Sequence, residues 1–397
     1  MNNNNGSPHS FEYLQWIVQA RSFVENVVIE DDEDYLKTKE LISSNIQTLL
    51  PGIKPEQHER FAKMVKFNQM WAAHDQEDFD LLDSTILNDP HSIIEQAKNG
   101  KPFIFCTFHL ASYRLLNTLL GIHEVPFCLL TDKDYIDSQG EKSKDIFRRA
   151  CEAHLGKCDE ELEILNAEDK RIGLQLIRRI RSGKSIVVYL DGNTGVGGFY
   201  RDPSSLIKLS FLGEILYARK GAAFVSHVTD APIVPVIGYR KDCLKREYTF
   251  LEPINKNKDE DREPYCERTV KYMFGLLEEY VKSDPAQWEG WFYVHKFLEK
   301  TRIEKEKNPE EIEINSDHHY VRNTTEYPTI EALGNKILFN KTNSKIVKLT
   351  EELEVITKYF ESPSKIEEVQ IDNVTFTKEA IIELIHEGIL IPYIDES

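Results

Sequence analysis

Four short segments that are apolar almost throughout constrain the fold of this chain more than any other feature of its sequence. They are PFIFCTF at residues 102–108, VPFCLLT at 125–131, SIVVYLD at 185–191 and APIVPVIGYR at 231–240. Strands of this kind are buried on both faces, as in a parallel sheet that is covered by helices. Segments with helical spacing lie between them, so the sequence predicts an α/β fold with a mainly parallel sheet flanked by helices.

Helical periodicity is found over most of the N-terminal part and between the predicted strands. Residues 11–90 are predicted to be mostly helical, with one helix that starts after Pro55. Further helices are predicted over residues 110–120, 146–155 and 171–180. A closing amphipathic helix is indicated by apolar residues at helical spacing, namely Val270, Met273, Phe274, Leu277 and Val281.

Changes in composition divide the chain into four parts. Residues 1–54 are predicted to be an N-terminal helical segment, and residues 55–300 the α/β domain. Residues 301–325 are highly charged and nearly free of periodic apolar residues, which is typical of a solvated linker. Residues 326–397 are predicted to be a small, winged-helix-like α+β domain, in which a β-hairpin is followed by two short helices.

Net charge, apolar content and cysteine spacing narrow the classes of function. The formal net charge of −18 argues against nucleic acid and against anionic lipid, because both require a surplus of Lys and Arg. No window approaches the roughly 20 apolar residues of a membrane span, and the first residues lack the features of a signal peptide. A soluble, cytoplasmic protein is therefore expected. The six cysteines show no paired spacing, so zinc ligation and a disulfide framework are not expected.

A histidine and an aspartate follow two of the predicted strands at equivalent positions. His109 comes directly after the strand at 102–108, and Asp191 ends the strand at 185–191 and precedes a glycine-rich loop. Parallel strands present their carboxyl ends at one edge, where ligands bind, so both side chains are expected to face a common crevice. A neutral imidazole can accept a proton from a hydroxyl or amine, a carboxylate sets its tautomer, and backbone N–H groups can hold an oxyanion. The pair predicts general-base catalysis on an acyl donor.

Five segments, taken in order, resemble the lysophospholipid acyltransferase superfamily, and within it the branch of bacterial lipid A late acyltransferases. They are HLASYRL at 109–115, VVYLDGN at 187–193, FLGEILYARKGAAFVSHVTD at 211–230, APIVPV at 231–236 and DPAQWEGWFYVHKF at 284–297. They resemble, respectively, the family's histidine motif, its strand followed by an acid and a glycine, its run from a glycine turn into a helix, a sheet strand, and its tryptophan-rich ending. The resemblance covers about residues 55–300. It implies an acyltransferase that uses His109 as its base and an acyl-carrier protein or acyl-CoA as its donor.

Two departures from the family pattern bear on this activity. Where the family's His-x4-acid motif has its acid, this chain has Arg114, which cannot accept a proton from an imidazolium and would repel it. Either Asp191 orients His109, or another acid does, or the catalytic function is altered or lost; the other candidate acids are Asp132, Asp134 and Glu214. Arg114 is suited to bind a phosphate or carboxylate of a substrate, the alternative being a solvated helix residue. The N-terminal membrane helix of family members acting on lipid A is missing, which favours a soluble acceptor.

Further residues of the same segments are assigned to substrate binding, together with Arg114. They are Gly192, Asn193, Arg219 and Lys220. A separate basic cluster ends the predicted helix before the Asp191 strand and consists of Arg178, Arg179, Arg181 and Lys184. Because cations are favoured near any helix C-terminus, two interpretations stay open. The cluster is either an ordinary helix ending or a docking patch for an acyl carrier protein or the phosphates of coenzyme A.

Residues 326–397 resemble the small PqqD-type domain that recognises ribosomally made peptides. Residues 337–360 resemble its hairpin and helix, and residues 380–393 its closing helix and last segment. Such domains bind a leader peptide by adding a strand to an exposed sheet edge. The alternative is a generic winged-helix cap that packs against the catalytic domain or mediates dimerisation.

Together these features predict a soluble acyltransferase that moves an acyl group from acyl-carrier protein or acyl-CoA to a hydroxyl or amine. The acceptor is expected to be a peptide or a small natural-product intermediate, the acyl donor enters as a substrate, and no bound cofactor or metal is expected. Two alternatives stay open. One is a non-catalytic protein that binds acyl groups and peptides, and the other is a thioesterase-like hydrolase in which His109 activates water.

Overall fold

The computed structural model of the protein describes most of the chain. The described residues are 8–28, 33–192, 194–195, 205–241, 245–299, 318–324, 326–332, 335–340, 346–371 and 374–393. Within them, no helix combines the length and the apolar character that a lipid bilayer would require for a crossing.

The centre of the fold is a seven-stranded sheet. The strands up to residue 250 are β1 (Ile86–Asn88), β2 (Ile104–Thr107), β3 (Phe127–Thr131), β4 (Glu163–Asn166), β5 (Ser185–Tyr189), β6 (Leu206–Phe211), β7 (Glu214–Arg219), β8 (Ile233–Arg240) and β9 (Arg246–Phe250). The sheet has the order β1-β9-β8-β2-β5-β3-β4, and β6 and β7 form a separate hairpin. All neighbours in the sheet are parallel except β8 and β9. The predicted α/β fold with a mainly parallel sheet is therefore confirmed.

Helices cover both faces of this sheet. In the described residues up to 283 they are α1 (Pro8–Asn26), α2 (Glu33–Leu49), α3 (Pro55–Asp75), α4 (Asp80–Ser84), α5 (Ile93–Lys98), α6 (Leu115–Ile122), α7 (Lys133–Leu155), α8 (Ile172–Arg181), α9 (Gly221–Thr229) and α10 (Arg262–Ser283). Short 3-10 turns follow at Pro285–Gln287, Glu289–Phe292 and Val294–Phe297. Alternate residues of β2 belong to two different core clusters, with Ile104 in one and Phe105 in the other. Burial on both faces explains why this strand is apolar throughout.

The strands that the sequence analysis missed lack a continuous apolar run. The four predicted strands are present as β2, β3, β5 and β8. Strands β1 and β4 are short and lie at the two edges of the sheet. In β9, fully buried residues alternate with half-buried ones, so its sequence REYTF carries polar side chains. In the segment 211–230, Gly213 makes the turn between β6 and β7 at φ 86°, and the helix begins only at Gly221.

The N-terminal helices are packed into the same body as the sheet. Trp71 in α3 donates a hydrogen bond of 2.5 Å from Nε1 to the Tyr13 hydroxyl in α1. Asn45 in α2 donates a hydrogen bond of 2.6 Å from Nδ2 to the carbonyl oxygen of Trp291. The boundary drawn at residue 54 from composition therefore lies inside a continuous core. The sequence did not indicate this, because helical periodicity does not reveal what a helix packs against.

A buried charged cluster joins α1 and α3 to β8, β9 and the loop after β2; we call Tyr13, Asp75, Ser112, Arg240 and Arg246 the Asp75 cluster. The fully buried Asp75 carboxylate accepts hydrogen bonds from Arg246 Nε at 3.1 Å, from Arg246 Nη2 at 3.2 Å and from the Tyr13 hydroxyl at 2.5 Å. Arg240 adds a second buried cation, with Nη2 at 3.8 Å from Asp75 Oδ2. The Ser112 hydroxyl also donates to Asp75, so the cluster holds the loop that follows β2.

The C-terminal part of the chain forms small antiparallel sheets and two helices among its described residues. Its elements are β10 (His319–Arg322), β11 (Thr329–Ala332), β12 (Asn335–Phe339), β13 (Ile346–Lys348), α11 (Glu351–Tyr359), β14 (Ser364–Lys365), β15 (Val369–Ile371), β16 (Val374–Phe376), α12 (Lys378–His386) and β17 (Leu390–Pro392). The predicted hairpin is present as β12 and β13, and the two predicted helices as α11 and α12. A winged-helix fold and a PqqD-type function for this part stay predictions.

The predicted linker, residues 301–325, lies mostly outside the described residues. Its described end contains β10, which pairs with both β14 and β17. Tyr320 of β10 is fully buried in the core of the C-terminal part. Residues 319–322 of the predicted linker are therefore part of the packed structure. The sequence analysis missed this because a short strand with polar neighbours resembles a solvated linker in composition.

Candidate active site

The loop between β2 and α6 carries two of the residues singled out from the sequence, His109 and Arg114. A helix was predicted from residue 110, but α6 begins only at Leu115. The backbone turns instead at Ala111, whose φ of 53° lies in the left-handed region that L-residues other than glycine rarely adopt. Residues 287–289, at the junction of the first two 3-10 turns of the 285–297 segment, hold this loop in place. Ala111 N donates to the Gln287 carbonyl at 2.8 Å, and Glu289 N donates to the His109 carbonyl at 2.9 Å.

The two predicted catalytic residues are in direct contact. His109 Nδ1 lies 2.9 Å from Asp191 Oδ1. The His109 backbone N–H points at the same carboxylate, 3.1 Å from Oδ1 and 3.0 Å from Oδ2. Trp288 Nε1 donates a third hydrogen bond to Asp191 Oδ2 at 2.8 Å. Asp191 is only 2 % exposed, and these donors hold its carboxylate in position. The expected meeting of base and carboxylate at one sheet edge is therefore observed.

The contact with Asp191 determines which nitrogen of His109 can act as a base. A carboxylate accepts hydrogen bonds, so Nδ1 carries the proton, and in the neutral ring Nε2 then has the free lone pair. Nε2 makes no hydrogen bond to any residue that the structure describes. The Tyr293 hydroxyl contacts both residues, at 3.0 Å from His109 Nδ1 and 3.5 Å from Asp191 Oδ2. This arrangement is the one that general-base catalysis by histidine requires.

Burial and neighbouring charges act on the His109 imidazole in opposite directions. Burial by itself lowers its pKa, since it disfavours the charged form. The charge and hydrogen bond of Asp191, with a smaller contribution from Glu289, outweigh burial and the repulsion by Arg114. The pKa of His109 is therefore raised above its usual value of 6.5.

A cavity of about 190 Å³ borders the imidazole. Its apolar wall includes Leu129, Ile146, Phe147 and Leu162. Polar side chains, among them Arg114, Asn117, Tyr135 and Glu289, also line it. A cavity of roughly 150 Å³ can hold a molecule of the size of benzene. The volume here thus suits a small molecule or a short acyl group rather than the whole length of a long fatty chain.

Arg114 lies at this cavity and not on a solvated helix face. Its Nε donates a hydrogen bond of 3.1 Å to the Tyr113 hydroxyl, and the guanidinium carbon lies 5.4 Å from the centre of that ring. Its two Nη groups make no hydrogen bond to the described residues. Burial lowers the pKa of Arg114, but Tyr113, Glu289 and Tyr135 outweigh it, so the pKa is raised and the group stays charged.

The remaining predicted binding residues lie at varying distance from the imidazole. Gly192 is adjacent, because a Cβ atom built on it would lie 3.3 Å from His109 Cε1. Asn193, like residues 196–204 of the glycine-rich loop, lies outside the described residues. Arg219 lies against Gly195. Lys220, at the start of α9, is paired with Glu263. Neither cation is among the described residues that line the cavity.

The other acids considered for orienting His109 have different surroundings. Asp132 lines the cavity, but its carboxylate caps α7 by accepting a hydrogen bond of 2.6 Å from Tyr135 N. Asp134 lies in the first turn of α7, and Glu214 begins β7. Asp191 is thus the acid that contacts the imidazole among the described residues.

The basic cluster lies at the opposite edge of the sheet from His109. Helix α8 ends just before β5, whereas His109 follows the carboxyl end of the parallel neighbour β2. Strand β5 has 5 residues and therefore spans about 16 Å between the two edges. Arg179 and Lys184 are occupied by Glu163, at 2.5 Å and 3.6 Å respectively. Arg178 and Arg181 are exposed and form no ion pair with the described residues.

Sequence reasoning missed the residues that support the catalytic pair from the tryptophan-rich segment. These are Trp288, Glu289 and Tyr293, which contact Asp191 or His109 or line the cavity. The segment DPAQWEGWFYVHKF was part of the family resemblance, so its tryptophan-rich composition was the available signal. Among the described residues, no group of three or more His, Cys, Asp or Glu side chains is placed to hold a metal ion.

The left-handed turn at Ala111 predicts that valine at this position lowers the free energy of unfolding more than glycine does. Ala111→Val is expected to lower the free energy of unfolding by about 2 kcal/mol or more, because a β-branched side chain at positive φ is strained and this site is buried. Ala111→Gly is expected to change it by less than about 1 kcal/mol, since relief of backbone strain offsets the greater entropy of the unfolded glycine. Urea unfolding of both variants measures the order, and equal values for the two would contradict it.

No protein-family model matches the chain, and no curated protein matches it either. The site itself is therefore the basis for assigning a class of activity. In it, a buried carboxylate orients a histidine at the edge of a small cavity with both apolar and polar lining.

Proposed function

We propose that the protein is an acyltransferase that uses His109 as a general base. It transfers an acyl group from the thioester of an acyl-carrier protein or acyl-CoA to a hydroxyl or amine. One observation carries the proposal: the hydrogen bond of 2.9 Å between His109 Nδ1 and the buried Asp191, which leaves Nε2 as the proton acceptor beside a cavity. The order of the family-like segments along residues 55–300 supports the same activity.

The reaction needs only the groups present at this site and the two substrates. His109 Nε2 accepts the proton of the acceptor while the acceptor's oxygen or nitrogen attacks the thioester carbonyl carbon. The C–S bond of the tetrahedral intermediate then breaks, and the leaving thiolate takes the proton from the imidazolium. Asp191 stabilises the imidazolium between these two steps. The products are an ester or amide and a free thiol.

Release of free thiol from an acyl donor tests the proposal. The protein is incubated with acyl-CoA, or with acyl-carrier protein, in the presence and absence of a mixture of small amines and alcohols, and thiol and acylated products are followed by mass spectrometry. Acceptor-dependent thiol release with formation of an acylated acceptor supports transfer. Release at the same rate without an acceptor indicates hydrolysis, and binding of the donor without release indicates a non-catalytic partner; either result overturns the proposal.

The raised pKa of His109 predicts the pH dependence of the transfer. The rate is expected to fall as the pH decreases through that raised pKa, because only the neutral imidazole accepts a proton. Asp191→Asn removes the charge that raises the pKa, so the acid limb of the kcat/KM profile is expected to move to lower pH. The plateau is expected to fall by about tenfold or more, because the imidazolium loses its counter-charge.

Steady-state rates between about pH 5 and about pH 9, the range in which histidine titrates, measure this shift. Asp134→Asn is the matched control, since this acid lies in the first turn of α7 and does not line the cavity. An acid limb that stays in place in Asp191→Asn would show that His109 is not the titrating base.

A further inference from the structure

The cavity beside His109 is lined by hydrogen-bond donors and acceptors that have no partner among the described residues. Arg114 has two Nη groups without a partner among these residues. Glu289 accepts a hydrogen bond of 3.1 Å from Gln69 through Oε1, whereas its Oε2 is buried and has no partner in the described part of the chain. Asn117 Oδ1 is likewise buried without a hydrogen-bond partner among the described residues. Buried polar atoms are normally hydrogen-bonded, so the two buried oxygens of Glu289 and Asn117, beside the free N–H groups of Arg114, indicate a ligand with donors and acceptors of its own.

The two charges do not neutralise each other by direct contact. Within the described residues, Arg114 and Glu289 form no ion pair at 4.0 Å or less. The Glu289 charge nevertheless acts on both Arg114 and His109 through space. All three side chains border one cavity, so a ligand between the cation and the anion lies beside the base.

We infer that the acceptor is a free α-amino acid, whose carboxylate binds Arg114 and whose ammonium group binds Glu289. This inference rests on the proposed function for the reaction but not for the binding. A guanidinium with both Nη groups free matches the planar geometry of a carboxylate. Glu289 Oε2 and Asn117 Oδ1 are acceptors for the N–H groups. The wall that includes Leu129 and Phe147 faces the same space and suits an apolar side chain.

The reaction of such an acceptor is balanced without any further reactant. The ammonium group loses one proton to solvent, and the resulting amine attacks the thioester carbonyl carbon. A second proton passes from nitrogen to His109 Nε2 as the C–N bond forms. The C–S bond breaks, and the thiolate receives that proton. The products are an N-acyl amino acid, a free thiol and one released proton.

Calorimetric binding to the full chain, without any acyl donor, tests the inference. Glycine, alanine, leucine and phenylalanine are the free amino acids used. Leucinamide lacks the carboxylate of leucine but keeps the ammonium group, and 4-methylpentanoate keeps the carboxylate but lacks the ammonium group. At least one amino acid is expected to bind with a Kd below about 1 mM. Leucinamide and 4-methylpentanoate are each expected to bind about tenfold or more weakly than leucine, because each lacks one charged contact.

Variants of the two charged residues give the matching half of the experiment. Arg114→Gln is expected to weaken leucine about tenfold or more while leaving leucinamide unchanged. Glu289→Gln is expected to weaken leucine to a similar extent while leaving 4-methylpentanoate unchanged. His109→Ala removes the base but not the binding groups, so it is expected to bind leucine like the wild type. Lys271→Gln, at an exposed position of α10, is the control for the loss of a charge elsewhere.

The outcomes separate this inference from the proposed function. Amino-acid binding with the expected pattern, but no thiol release, supports the binding part of the inference and overturns the acyltransfer. Thiol release with other amines or alcohols, together with no amino-acid binding below about 1 mM, overturns the inference alone. A dipeptide that binds as tightly as leucine would also overturn it, because a peptide places its carboxylate farther from its ammonium group.

Discussion

Replacing His109 with alanine is expected to reduce acceptor-dependent thiol release by about 10²–10⁴-fold, the usual contribution of a positioned general base. The variant loses the nitrogen that accepts the acceptor's proton, but keeps the cavity and its charged lining. KM for the acyl donor is therefore expected to change little compared with kcat. Initial rates of thiol release at saturating donor and acceptor measure the effect.

Two controls make this result specific to the base. His91→Ala removes an exposed histidine outside the cavity lining and is expected to keep the wild-type rate. Added imidazole is expected to restore part of the rate in His109→Ala, since the substitution leaves space beside Asp191. A His109→Ala variant that works at the wild-type rate would end the proposed mechanism.

Replacing Asp75 with asparagine is expected to lower the free energy of unfolding by about 3–5 kcal/mol, as is typical when one partner of a buried ion pair is removed. The side chains of Arg246 and Arg240 are 1 % and 4 % exposed, so the substitution removes a buried negative charge that both guanidinium groups contact. Asparagine has nearly the same volume as aspartate, and the loss therefore reports the charge rather than a cavity. Chemical unfolding followed by tryptophan fluorescence measures it.

An exposed ion pair provides the matched comparison for Asp75→Asn. Glu267 and Lys271 pair on the surface of α10, with side chains 54 % and 48 % exposed. Glu267→Gln is expected to cost less than about 1 kcal/mol, because solvent screens such pairs. Equal losses in the two variants would show that the Asp75 cluster does not stabilise the fold through its charges.

The sequence was sufficient for four of the inner strands of the sheet and for the meeting of His109 and Asp191, because both depend on local patterns. A strand buried on both faces must be apolar throughout, so β2, β3, β5 and β8 could be read directly. The carboxyl ends of parallel neighbours meet at one edge, and β2 and β5 are such neighbours. His109 and Asp191, each placed just after one of these strands, were therefore expected to meet.

The surroundings of the pair could not be predicted because they depend on contacts between distant parts of the chain. Trp288 reaches Asp191 across 97 positions, and Tyr293 reaches His109 across 184. No local periodicity encodes such contacts. From the sequence, Arg114 either binds a phosphate or carboxylate of a substrate or lies on a solvated helix face. The left-handed turn at Ala111, which redirects the loop, is not marked by a glycine, so the sequence does not decide between the two.

The Tyr13 hydroxyl has a consequence for any shortened version of this protein. A chain that started at residue 33 would lack the donor that Tyr13 supplies to Asp75, and the same carboxylate accepts from Ser112 in the loop that carries His109. Trimming the first helix is therefore expected to disturb His109, about 100 residues away along the chain, because two side-chain hydrogen bonds connect Tyr13 through Asp75 to Ser112 in the same loop. Activity assays of this protein thus call for the first helix to be kept.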